Sequence, residues 1–160
     1  MQKNYKKEIK RKTIVATTIL LALSIGLGAF LALIGAPTPS PENQTLTYLY
    51  AVTGILFSVG VSTTISFEYS DIINDNYYHK LTLDLSYIVH VFLAIFFTAT
   101  LLFMIGINLK LSLNTSPLFF IKLATFTPFA FQAIASLWMS YIFLQLYKLK
   151  RDLNNERRKK

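Results

Sequence analysis

The stretch that decides the fold is Ile14–Gly35, IVATTILLALSIGLGAFLALIG, 22 residues without one charged side chain. Just before it stands MQKNYKKEIKRK, residues 1–12, with six bases and one acid. A helix rises about 1.5 Å per residue, so about 20 apolar residues cross a hydrocarbon core about 30 Å thick. The run is long enough to cross. It also exceeds the roughly 7–15 apolar residues of a cleaved signal peptide, so it is read as a retained span despite the small residues Ala32 and Ala36.

Working outward, three more runs have the same character. Leu46–Phe67 has no charge, Leu85–Ile107 holds only His90, and Leu118–Tyr147 holds Lys122 near its start. The expected fold is an all-α membrane protein. It has four transmembrane helices at about 14–35, 46–67, 85–107 and 118–147, within a single domain over 1–160. The composition agrees: 53% of residues are hydrophobic, 15% are charged and none is cysteine. A soluble domain carries about 25% charged residues, and a disulfide scaffold needs cysteines.

The net charge of +8 is unevenly placed. Residues 1–12 and 148–160 each carry +5, and the 135 residues between them carry −2. A nucleic-acid-binding domain spreads its bases over a folded surface, whereas these only bracket the ends, so no direct nucleic-acid contact is expected. By the positive-inside rule both basic tails lie in the cytoplasm, and an even number of spans agrees. Loops 36–45 and 108–117 then face outside and segment 68–84 faces inside. The Lys/Asn/Ile-rich, cysteine-free composition points to a bacterial cytoplasmic membrane. The C-terminal tail, KLKRDLNNERRKK, is expected to continue the fourth helix and to meet anionic lipid headgroups.

Helices in lipid associate through small and polar faces. Steps of four give Ser24, Gly28 and Ala32 on the first span. The second offers Ala51, Gly54, Ser58 and Ser62, and the third Ser86, His90, Ala94 and Thr98. On the fourth, Thr125, Gln132, Ser136 and Ser140 lie within about 80° of one another. These stripes are expected to face the bundle, leaving Phe and Leu to the lipid. Pro128 inside the fourth run is expected to kink it, in a way that membrane helices tolerate.

His90 is an ionisable group inside a span and so a functional candidate. Its position near the inner interface, with no second intramembrane acid or histidine, favours a structural hydrogen bond to a hydroxyl or backbone carbonyl. In the inner segment, Glu68, Asp71, Asp75 and His79 fall within about 80° of one another if the second helix runs on into the cytosol as an amphipathic extension. Such a stripe is a solvated face, a docking face for a basic partner or, least economically, a divalent-metal site. No nucleophile–base pair or glycine-rich phosphate loop is present, so neither enzyme activity nor a cofactor is expected.

Several segments together resemble a known family. They are SIGLGAFLALIG (24–35), Ser66-Phe67-Glu68, YIVHVFLAIFF (87–97), SLWMSYIFLQLY (136–147, with Trp138) and KLKRDLNNERR (148–158). The chain resembles four-span membrane proteins of low-GC Gram-positive bacteria, often encoded beside a LytTR-type transcription regulator. Some members are membrane-bound inhibitors in LytTR regulatory systems controlling bacteriocin and competence genes. The resemblance implies a protein partner, the regulator, held by an acidic patch of Glu68, Asp71, Asp75 and Asp84 and by the tail with Lys150 and Arg151. The alternatives are a small channel or transport subunit, a class that often works as homo-oligomers, and a bacteriocin self-immunity protein.

Overall fold

The computed structural model of the chain describes residues 2–37, 44–67, 75–112 and 119–158, with the side chains of 2–6, 75–77, 108–112, 121, 152 and 154–158 left aside. The described residues form helices α1 (Gln2–Leu33), α2 (Thr45–Ile65), α3 (Asp75–Ser112) and α4 (Phe119–Arg158). Each contains a segment long and apolar enough to cross a membrane: Lys7–Leu33, Thr45–Ile65, Tyr78–Ile107 and Lys122–Arg151. The chain is therefore all-helical, with the form of a multi-pass membrane protein.

Three helices outrun their expected spans, because the flanking residues favour helix for reasons unrelated to lipid. Residues 2–12 are rich in Lys and Glu, good helix formers, and Glu8 pairs with Lys12 at 2.8 Å one turn away. The first helix stops at Gly35, whose φ of 70° is natural only to glycine. The Gly35 N–H donates to the Ala32 carbonyl at 3.4 Å and the Ala36 N–H to the Leu31 carbonyl at 3.1 Å. That pair of bonds closes the helix end. By contrast, α2 ends at Ile65, and the next described helix, α3, opens at Asp75. The amphipathic extension expected after helix 2 is thus described from Asp75 onward alone, and there it belongs to α3.

The helices are not a simple ring of neighbours. Both α3 and α4 touch every other helix, whereas α1 and α2 do not touch each other among the described residues. α1 and α2 therefore flank an α3–α4 pair on opposite sides. Between them, Phe92, Ile95, Ala99, Phe131, Ala135 and Met139 are wholly buried. In lipid this packing stabilises through dispersion and fit, since the tails outside are equally apolar.

Glycines set the close approaches. A Cβ at Gly28 would lie 2.9 Å from Thr127 Oγ1 and 3.2 Å from the Thr127 nitrogen, so α1 crosses α4 backbone to backbone. A Cβ at Gly60 would lie 2.5 Å from the Phe92 ring. The α2–α3 seam is otherwise aromatic. Tyr50 stacks on Phe103 with centroids 4.2 Å apart and Phe57 on Phe96 at 4.4 Å, while Tyr50 Oη and Thr100 Oγ1 share a 3.0 Å hydrogen bond. Pro128 lies within a continuous α4 and packs beside Gly106.

Two of the four expected stripes face the bundle. Ser24, Gly28 and Ala32 are buried on α1, and Thr125 and Gln132 on α4, with Ser136 and Ser140 half-buried. The other two need correction. On α2, Ala51, Ser58 and Ser62 are exposed, and the buried residues are Leu46, Thr53, Gly60 and Thr64. On α3, His90 is exposed and Ser86, Ala94 and Thr98 only half-buried, while Leu85, Val91, Phe92, Ile95 and Ala99 turn inward. Packing shape decides the face, and the polar groups permit it. Thr98 donates to the Ala94 carbonyl at 2.8 Å and His90 Nδ1 lies 2.7 Å from the Ser86 carbonyl. A polar side chain satisfied within its own helix has no need of a neighbour.

Candidate functional site

Two regions can carry function. The first is a polar cluster at the centre of the bundle. Gln132 is fully buried; its Nε2 donates to the Ala99 carbonyl at 2.8 Å, and its Oε1 accepts from Thr53 Oγ1 at 2.9 Å. Thr53 Oγ1 also lies 2.9 Å from the Leu49 carbonyl and 3.0 Å from Ser136 Oγ. One side chain thus ties α4 to both α2 and α3. The hydrogen bonds of this cluster run between helices, so it holds the bundle together.

The second is the bundle end that carries both chain termini. Leu81 and Leu85 of α3 and Leu146 and Leu153 of α4 are buried there in the same cluster as Phe67. The packing therefore continues along α4 into the basic tail, so the tail is a packed helix over Leu146–Leu153 and not simply a strip laid on headgroups. Around this hub, Asp84, Lys150 and Arg151 are exposed. Lys12 of α1 pairs with Glu8 at 2.8 Å, and both line a groove with Tyr87 of α3.

Of the other expected partner-binding residues, Glu68 and Asp71 lie outside the described residues. Asp75 opens α3, with its side chain likewise outside them. His79 is exposed beside the Tyr78 ring. No group of three His, Cys, Asp or Glu side chains able to hold a metal occurs among the described residues. Trp138, which the resemblance singled out, is 40% exposed and lines a groove beside α1.

Thr53, Gly60 and the leucine hub did not stand out in the sequence. The hub carried a signal, since Leu81/Leu85 and Leu146/Leu149/Leu153 recur at steps of three and four across the ends of the apolar runs. Thr53 and Gly60 carried none, lying among apolar residues of uniform character. Compared with protein-family models, curated proteins and solved structures, the chain matches none.

Proposed function

We propose that this chain is a membrane-bound inhibitor, which sequesters a LytTR-type transcription regulator at the bacterial cytoplasmic membrane and withholds it from bacteriocin- or competence-type genes. The supporting observation is the leucine-packed end. At about 1.5 Å per residue, the 40 residues of α4 run to about 60 Å, roughly twice the hydrocarbon core. α1, α3 and α4 all project past their apolar segments at the end carrying the termini. That end is where a cytosolic partner would be received.

In this reading both termini are cytoplasmic, as the basic tails require. A LytTR domain binds DNA and so presents a basic surface. The acids Glu68, Asp71, Asp75 and Asp84, which follow α2 or open α3 in the sequence, supply the complementary charge. Lys150 and Arg151, exposed on α4, hold anionic headgroups or acidic parts of the partner. Binding alone suffices for inhibition, and no reaction is needed.

The test is co-purification of the neighbouring regulator with the wild type and with the E68A/D71A/D75A triple mutant. Loss of recovery in the mutant is expected; equal recovery overturns the acidic-patch assignment. A promoter reporter unaffected by deletion of this protein overturns the inhibitor reading itself. Because the natural chain has no cysteine, single cysteines at positions 40 and 159 report the orientation directly. Labelling of position 40 alone by an impermeant reagent in whole cells is expected.

A further inference from the structure

A groove of about 710 Å³, open on its outer side, runs beside α1 where it meets α3 and α4. Sites for small molecules occupy about 300–1,000 Å³. We infer that this groove binds one anionic phospholipid, with its phosphate at Arg11 and an acyl chain lying along α1 toward Leu23. The inference depends only on the chain spanning a membrane and not on the regulator.

The lining is sorted by height. Glu8, Arg11 and Lys12 stand at the mouth, and Val15, Ala16, Ile19 and Leu23 follow down the same helix. From Arg11 to Leu23 the helix rises about 18 Å, against about 15 Å for one leaflet of a 30 Å core. A charged mouth above an apolar floor of one-leaflet depth is the profile of an amphiphile.

The sign of the mouth selects the headgroup. Glu8 is engaged by Lys12 at 2.8 Å, which leaves Arg11 with no ion-pair partner among the described residues and a net charge of +1. A guanidinium meets phosphate with two parallel hydrogen bonds. A zwitterionic headgroup would bring its ammonium against the same cations.

Two aromatic residues complete the site. Tyr87 of α3 and Trp138 of α4 line it, and such rings favour the membrane interface. The Trp138 indole contacts the Tyr141 ring, with centroids 6.2 Å apart. Its N–H has no hydrogen-bond partner among the described residues. An indole N–H is a donor that seeks an acceptor away from water, and the ester carbonyl of a glycerolipid is one of the right kind.

The experiment is native mass spectrometry of the full chain in detergent. Phosphatidylglycerol or phosphatidylcholine with identical acyl chains is added, and retained lipid is counted. The wild type is expected to keep one phosphatidylglycerol with roughly fivefold preference, the scale of one basic residue at a membrane surface. Arg11→Gln brings the two lipids to parity. Ala16→Phe lowers retention of both by filling the floor. Trp138→Phe, which keeps a ring but removes the donor, lowers retention of phosphatidylglycerol. Lys150→Gln with Arg151→Gln leaves the preference unchanged, which separates the groove from the tail. Equal preference in the wild type and Arg11→Gln overturns the inference, as does a wild type without preference or loss of preference in the tail variant alone. Arg11 is exposed, so its variant folds and decides the matter even if Ala16→Phe does not.

Discussion

The Thr53–Gln132 contact predicts an asymmetry between its two ends. Gln132→Met keeps the volume and removes both interhelical bonds. At about 0.6 kcal/mol for such a bond in a membrane bundle, the loss sums to about 1 kcal/mol. It is no larger because nothing is stranded. The Ala99 carbonyl keeps its place in the α3 ladder, and the Thr53 hydroxyl still reaches the Leu49 carbonyl and Ser136. Thr53→Val also keeps the volume but leaves Gln132 Oε1 buried without its hydrogen bond, which costs about 1–3 kcal/mol. The double variant should cost less than the two single losses added together, by about 1 kcal/mol, because no orphan remains to be penalised twice. The assay is reversible unfolding in mixed micelles on titration with dodecyl sulfate, followed by the fluorescence of the single tryptophan. A Gln132→Met loss well above the Thr53→Val loss would refute the reasoning, as would strict additivity in the double variant.

The same titration checks the remaining predictions. Gly60→Ala should cost about 1–3 kcal/mol by overpacking, and Phe92→Leu, which shortens the opposing ring, should recover most of it. Thr13 Oγ1 is buried without a hydrogen-bond partner, so Thr13→Val should stabilise by up to about 1 kcal/mol. His90→Leu should leave stability within about 0.5 kcal/mol of the wild type, as for other changes that touch no core contact. Leu153→Ala should speed amide hydrogen exchange through the last turns of α4 while leaving the centre of α3 protected.

The number and approximate extent of the spans were legible because the length and hydrophobicity that a bilayer demands are written in one dimension. The inner faces of α1 and α4 were legible too: Gly28 and Gln132 are unusual enough to mark an interior. On α2 and α3 the same logic chose the wrong side. In a soluble protein the polar face would have betrayed the orientation, but both sides of a membrane helix are apolar, and Ser62 and His90 are quiet enough to face outward. What decides those helices is shape, namely the hollow at Gly60 and the ring of Phe92, and shape complementarity has no period. The projecting hub was overlooked for the opposite reason. Its leucines are spaced as in an ordinary water-soluble helix pair, and they sit among charges that suggested a solvated tail.

The separation of α1 from α2 bears on how the protein is made. A chain whose first 67 residues have left the ribosome has produced two helices with no surface for each other. Neither can retain its neighbour as a hairpin, so both wait in the bilayer as separate rods. The α3–α4 pair, arriving last, is the piece on which the earlier two condense. Truncation before α4 should therefore leave a looser three-helix remnant held by α3 alone, without the Gly28–Thr127 crossing and the Gln132 tie.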